Sequence, residues 1–510
     1  ITLLSTLGLQ GWLGIKIGLV TAMCPLIVLA ICVADTIHIF STYFSSQEEG
    51  HPDPLEATMD KNLYPTFLTT MTTVLGFVAL CGAELYPIAD MGIVSAIGIT
   101  LAWIYSVFIL CPLLKLIPLK ANLFTRFESK VISFTKIHSF VVKYPKHIVS
   151  FFLILTSLMF YFSSQNTVDS NMLNYFGEDS SFRKATSFFE ENIGGTESIE
   201  LIIDSGKEDG IKDPDFLNKV DLFITKINKI EDVTKVNSIL SPLKEVNQVL
   251  NGGDKSQYSI ATSQEKIAQE LFFLELSLPP TKNLNNLLSN DKKEMRISVY
   301  WKRSDSSEIM KGSQLIESLM KESGLKGHVT GTVPLISGLD SYIISSFFQS
   351  MAIAIGLISL LMMWVFKSVF FGLFSMIPNI IVPSFGAAVL YAIGKPFDAG
   401  SILIFSICLG IAIDDTIFFL TNFRKAMETK TTMSSALKEV LENTGHTLTY
   451  TTFILVTIFG LFYLGSFIPN QNFAIATSVI LTTALVLDLI FLPALLLFLD
   501  QFSSSIKRKS

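Results

Sequence analysis

The chain has 510 residues, half of them hydrophobic, with 41 Phe and only 16% charged residues, against about 25% in an ordinary soluble protein. That balance excludes a soluble enzyme of this length and points to a bilayer, while the net charge of -6 says little because the charges are segregated into a few stretches. The five cysteines (Cys24, Cys32, Cys81, Cys111, Cys408) fall in apolar stretches without metal-ligand spacing, so they are expected to be buried small hydrophobes and not a disulfide framework.

Ile1 stands inside an apolar run with no signal peptide before it, so the chain is expected to be a piece of a longer protein. A spanning helix needs about 20 mostly apolar residues. Segments 17–44, 64–83, 88–118, 147–163, 343–366, 369–394, 401–421, 447–467 and 473–499 meet this, and 1–13 reads as the tail of another. Lys and Arg then set the orientation. Lys115, Lys120, Arg126, Lys130, Lys136, Lys143 and Lys146 make the segment 115–147 cytoplasmic, with 119–146 as a basic linker. Arg424, Lys425, Lys430 and Lys438 mark a second cytoplasmic segment, and Lys507, Arg508 and Lys509 put the tail 501–510 inside. The acidic loop 45–62, with Lys61 as its only cation, fits this pattern least.

Residues 164–342 interrupt the apolar pattern with a non-cytoplasmic domain. Glu197–Asp204 alternates like a half-buried strand, and Asp213–Ile230 reads as an amphipathic helix opened by Asp213-Pro214. Met295–Trp301 is strand-like, Ser306–Ser323 has helical spacing, and His328–Val333 is a last strand. The order is strand–helix–strand, a helical insert around Ser241–Leu276, then strand–helix–strand. It predicts a split, ferredoxin-like α+β domain.

The helical part repeats. Ala34-Asp35-Thr36-Ile37 returns as Asp414-Asp415-Thr416-Ile417, and Cys111-Pro112-Leu113-Leu114 as Leu492-Pro493-Ala494-Leu495. Thr69, Thr73 and Gly76-Phe77 have a looser echo in Thr452 and Gly460-Leu461. Repeated helical units are a common transporter plan, with the working site at their interface. One helix (147–163), the outside domain and a five-helix bundle (343–500) then make a complete second half, and 1–118 the end of the first.

That one-plus-five plan resembles the resistance–nodulation–division (RND) superfamily. Gly410-Ile411-Ala412-Ile413-Asp414-Asp415-Thr416 is similar to its Gly-x-x-x-Asp-Asp signature, and Gly372–Gly386, with Ile377-Pro378-Asn379 and Pro383, to its second helix after the outside domain. Asp169-Ser170-Asn171, Tyr175-Phe176, Asp179-Ser180, Gly194-Gly195 and Val329-Thr330-Gly331-Thr332 resemble the predicted-exporter and mycobacterial-membrane-protein-large (MMPL) branch, which includes hopanoid and other lipid transporters. The resemblance implies an ion-driven exporter of a lipid-like compound in a bacterial inner membrane, with twelve helices and two outside domains when intact. It also implies membrane lipids, a hydrophobic substrate and H⁺ or Na⁺ as partners; a homo-oligomer is compatible with it, and nucleic acid is not expected.

Ionisable groups inside a bilayer cost several kcal/mol unless paired or hydrated, so each is a functional candidate. Asp414 and Asp415 are adjacent, and two neighbouring carboxylates in low dielectric cannot both stay ionised. In the resembled family these acids are the proton relay; a structural hydrogen-bonded pair is the competing reading. Asp35 matches Asp415, but Ala34 matches Asp414, leaving three carboxylates. His38, one turn beyond Asp35, is a shuttle candidate to replace the missing one, or simply a satisfied structural residue. Thr36 and Thr416 follow the acids directly and join the expected relay. The hydroxyls of Thr69, Thr70, Thr72, Thr73, Thr449, Thr451 and Thr452 can pass protons or bond helix to helix, and for most of them packing is the favoured reading. Asp488 has no acidic counterpart in the first half and reads as a relay or substrate residue, or a polar tie. No Lys or Arg lies mid-membrane beside these acids.

No phosphate-binding Gly loop, metal-ligand cluster or Ser/His/Asp set is present, so neither an enzyme nor a cofactor is expected. Two other functions compete. A sterol-sensing-type membrane receptor shares the helical fold but has no need of acids in both halves. An accessory protein of secretion uses similar ion-coupled helices with a different outside domain.

Overall fold

The computed structural model describes residues 1–507 apart from 118–132, 280–283, Leu19, Glu84, Ser170, Gly194, Arg303 and Thr431. Lys120, Arg126, Lys130, Ser170, Gly194, Arg508 and Lys509, which contribute to the orientation and the resemblance, lie outside the described residues.

In chain order the helices and strands are α1 Thr2–Trp12, α2 Cys24–Glu48, α3 Pro54–Ala79, α4 Tyr86–Tyr105, α5 Cys111–Leu116, α6 Phe134–Lys143, α7 Pro145–Ser164 and α8 Ser181–Ile193. Then come β1 Glu197–Asp204, α9 Pro214–Ile227, β2 Val233–Asn237, α10 Leu240–Leu250, α11 Gln264–Ser277, β3 Glu294–Trp301, α12 Ser306–Glu322 and β4 Lys326–Thr330. The chain finishes with α13 Thr332–Phe366, α14 Val369–Ala392, α15 Ala399–Thr429, α16 Met433–Gly460, α17 Ile468–Val486 and α18 Leu492–Lys507. It divides into two compact units, one of residues 1–167 with 342–510 and one of residues 168–341.

The first unit is helical, and among the described residues eight helices are long and apolar enough to cross a membrane. Its polarity is inside out relative to a soluble protein. Phe151, Ile154, Trp364 and Phe370 are exposed, while Asp35, Thr72, Thr416 and Asp488 are buried. With lipid outside, apolar exposure is costless and polar groups must satisfy one another within.

The sequence repeat is visible in the packing. α3 of the first repeat lies against α15 of the second, and α16 of the second against α2 of the first. Both repeats break their last helix in the same way. A π-turn, Ser106–Leu110, precedes Cys111-Pro112, and a second, Leu487–Phe491, precedes Leu492-Pro493. Proline has no N–H, so the carbonyl four residues back loses its α-helical partner, and the wider turn accommodates that loss.

Several bounds differ from expectation. The stretch 45–62 is not a loop: α2 runs to Glu48 and α3 starts at Pro54, because Asp53 caps α3 by accepting from Leu55 N and Glu56 N at 3.0 and 3.2 Å. The basic linker 119–146 contains the amphipathic α6, whose buried Phe134 sits over Gly445 of α16; a Cβ at Gly445 would come within 2.5 Å of the Phe134 ring. Residues 501–507 continue α18 instead of forming a tail. Cys81 is exposed, against the expectation that all five cysteines are buried. The 473–499 span runs on as Ile468–Asp500 with the π-turn inside it, while α13 starts at Thr332, well before 343.

The second unit carries a four-stranded antiparallel sheet in the order β2-β3-β1-β4. With α9 between β1 and β2 and α12 between β3 and β4, this is the ferredoxin-like arrangement. Alternate residues decide its faces: Ile199, Leu201 and Ile203 of β1 and Met295, Ile297 and Val299 of β3 are buried in one core with Leu217, Phe223, Ile309 and Ile316 of the helices. On the other face Glu200 accepts from Arg296 Nε, Ser298 and Ser198, each at 2.7 Å. The last strand ends at Thr330, not Val333, because Gly331 takes φ +111° and turns the chain into α13. The insert is two helices, α10 and α11. Asp169, at the start of the unit, caps α12 through Ser306 N at 3.2 Å and Ser306 Oγ at 2.9 Å, and Asn174 donates to its other oxygen at 2.7 Å.

Candidate functional site: carboxylates between the repeats

Successive residues on an α-helix point about 100° apart, so three consecutive polar residues reach three different neighbours. Asp414, Asp415 and Thr416 of α15 do this. Asp414 turns to α3, accepting from Thr72 Oγ1 at 3.2 Å and from Thr73 Oγ1 at 3.1 and 3.0 Å on its two oxygens. Asp415 turns to α16 and accepts from Thr452 Oγ1 at 3.2 Å. Thr416 donates to Asp488 at 2.7 Å and accepts from Asn379 Nδ2 of α14 at 3.0 Å. The adjacent acids are thereby divided between the two repeats, one facing α3 and the other α16.

Asp488 is fully enclosed within the π-turn Leu487–Phe491. Such turns reorient one side chain while the helix continues, and they recur at functional sites. Here the turn carries the chain Asn379–Thr416–Asp488 across α14, α15 and the end of α17.

Asp35 is buried in α2, and its Oδ2 has no hydrogen-bond partner. Asp35 lies in the first repeat and Asp414, Asp415 and Asp488 in the second, a carboxylate series Asp35–Asp414–Asp415–Asp488. Among the described residues no Lys or Arg pairs with any of them. Nor do three acidic, His or Cys side chains there converge as a metal site would need.

The remaining expected residues divide. His38 is buried, its ring stacked on Phe418 of α15 at 4.3 Å, and its Nδ1 has no partner. Asn62 donates to the His38 carbonyl at 2.9 Å, not to the ring. The structure shows no hydrogen bond between His38 and Asp35. Thr36 does not reach a carboxylate: its hydroxyl donates to Cys32 O of its own helix at 2.8 Å. Thr69, Thr70, Thr449 and Thr451 likewise bond their own helices. Thr72, Thr73 and Thr452, from the set for which packing is mostly the favoured reading, sit on the acids. Asn379 was quoted only as part of a motif. Its signal was available: an amide following proline inside an apolar helix has to find a buried partner.

These features define a multi-pass helical membrane protein built from a repeated unit, with carboxylates held between helices of the two repeats. The MMPL family model matches residues 179–510, more than half of the chain, and the chain belongs to the MMPL family of RND-type membrane transporters. The Patched SSD model matches residues 1–116. No curated protein matches the chain.

Proposed function

We propose that the protein is a proton-driven exporter of a lipid or another amphiphilic compound, and that Asp414, Asp415, Asp488 and Asp35 carry the proton. The observation that supports this most is the division of the adjacent carboxylates between α3 and α16, each held, among the described residues, by threonine hydroxyls. A hydroxyl can donate to a carboxylate and accept from a carboxylic acid, so it serves both protonation states. Asp35 and His38, each with an unpartnered buried atom, form the end of the series in the first repeat. The carboxylates have separate partners and do not converge on one point, which favours H⁺ over Na⁺ as the coupling ion. On this reading Thr416 relays through Asp488, while Thr36 packs.

Lys115, Lys136, Lys143, Arg424 and Lys425 support a cytoplasmic placement for α6 and for the end of α15. The C-terminus then lies inside, and the unit 168–341 on the far side of the inner membrane is where substrate would be handled. Membrane lipids and the amphiphile are the partners this reading requires.

The test is ion-coupled flux in proteoliposomes. Asp415→Asn and Asp35→Asn keep volume and hydrogen bonding but cannot exchange a proton, so each should abolish proton movement while the protein still reconstitutes. Near-normal flux in both would remove the relay assignment. Sodium dependence with no proton movement would replace H⁺ by Na⁺.

The Patched SSD match favours one second reading, a sterol-sensing-type receptor. A receptor would bind its ligand unchanged when Asp415 is replaced by Asn and would move no ions at all.

A further inference from the structure

A cavity of about 290 Å³ opens among α3, α13 and α15, lined by Tyr64, Val365, Phe366, Thr421, Arg424, Lys425 and Glu428. None of these residues belongs to the carboxylate series. We infer that this cavity holds the phosphodiester headgroup of a membrane phospholipid.

Three observations carry this. The first is depth. The apolar span of α13 ends at Phe366, so the cavity lies where that helix leaves the hydrocarbon, at headgroup level. Tyr64 and Trp364, both more than half exposed, flank that level as interfacial aromatics do. The second is charge. Arg424 Nη1 donates to Val365 O at 3.3 Å, which anchors the guanidinium at the cavity wall and, among the described residues, leaves its other N–H groups free of side-chain acceptors. Among the described residues neither Arg424 nor Lys425 has a carboxylate within ion-pair distance, Glu428 included. The third is an orphan donor: Thr421 Oγ1 is buried with no hydrogen-bond partner, and its residue lines the cavity. An unmade hydrogen bond in a buried site costs free energy unless a ligand satisfies it. A phosphodiester accepts from Arg424 and Lys425, and from Thr421 once its enclosed hydroxyl turns about χ1 to the cavity. Glu428, at the rim, suits a headgroup that carries a hydroxyl or ammonium beyond the phosphate, and opposes a free, doubly charged phosphate. The acyl chains would run along the exposed apolar sides of α3 and α13.

The experiment uses the full chain, delipidated in detergent, with bound lipid counted by native mass spectrometry. Phosphatidylglycerol should bind; diacylglycerol, with the same chains and no phosphate, should not, and neither should inorganic phosphate. Arg424→Gln with Lys425→Gln should weaken phosphatidylglycerol about 30-fold, from roughly tenfold-per-1.4 kcal/mol arithmetic on two surface cations. Lys425→Gln alone, an exposed change safe for folding, should cost about five-fold. Lys136→Gln with Lys143→Gln on α6 removes as much charge away from the cavity and should leave affinity within two-fold. Equal binding of diacylglycerol, equal binding of inorganic phosphate, or equal loss in the α6 variant would each overturn the inference.

Discussion

Thr449, Thr451 and Thr452 follow one another closely on α16, yet only Thr452 meets a carboxylate. The expected consequence is a sharp contrast between isosteric variants. Thr452→Val and Thr73→Val should slow ion-coupled flux, each removing a hydroxyl from an acid, while Thr449→Val should not. Flux ratios in proteoliposomes measure this, and an equal effect at Thr449 would mean that helix packing sets the rate. Neither change should lower stability by more than about 1 kcal/mol, the usual worth of one interhelical hydrogen bond. In the second unit, Glu270 of α11 is buried, and burial pushes its carboxyl up to about 7. The folded state therefore keeps a proton that the unfolded chain releases at lower pH. Stability from this group is complete below the ordinary Glu range and is lost as pH rises to about 7. Glu270→Gln should flatten the fall. Thermal melts of residues 168–341 at pH 5 and pH 8 test the sign, and a parallel fall in the variant would remove Glu270 as the cause. Glu200 acts in the opposite sense. Burial alone would raise its carboxyl, but Arg296, Ser298 and Ser198 outweigh it and hold the group below its usual value, so its contribution is lost on acidification.

At the scale of elements, two glycines on the packed helices differ in what they permit. A Cβ added at Gly410, the first residue of the Asp-Asp signature, would meet Thr73 at 3.5 Å or more, an ordinary contact. At Gly445 it would meet the Phe134 ring at 2.5 Å. Gly410→Ala should therefore fold normally, and Gly445→Ala should loosen α6 from α16. Limited proteolysis around 133–145 reads the difference; equal protection of both variants would show that Phe134 simply moves. Much of the element order was legible. β1 and β3 carry apolar residues at every second position from Ile199 to Ile203 and from Met295 to Val299, and the apolar spans announce themselves by length. What was not legible has common physical causes. Helix ends that flank the apolar stretches, such as Pro54–Leu63 and Phe423–Thr429, are polar and carry no apolar signal. Uniformly apolar helices also conceal their rotation, so nothing in the spacing distinguishes Thr452 from Thr449. The site's acids were legible because charge in an apolar run is conspicuous; Asn379, their neutral neighbour, was not.

At the scale of the molecule, residues 168–341 hold a core of their own, with Ile199, Leu201, Phe223, Ile297 and Ile316 wholly enclosed. Expressed alone, that segment should be a soluble α+β fold with a cooperative melt, checked by far-ultraviolet circular dichroism. A spectrum of coil would show that its core depends on the rest of the chain. The helical unit should behave differently, since its exposed Phe151, Ile154, Trp364 and Phe370 need lipid or detergent.

The two π-turns have a consequence for the way such a chain tolerates being shortened. A π-turn is a regular helix with one residue too many, so losing any one residue between Leu487 and Phe491 should let the helix close while its flanks stay in phase. The position of the loss then decides the outcome. Deleting Leu487 moves Asp488 back one place, roughly a quarter turn around the axis and away from Thr416. Deleting Ile490 leaves Asp488 facing Thr416 on a helix without the wide turn, still bent at Pro493. The two deletants should insert equally well but differ in flux, the first inactive and the second active. Equal flux would mean that the direction of Asp488 is of no account. Within the first-half turn, Ser106–Leu110, no acid stands to be misdirected, and a one-residue deletion there should be silent.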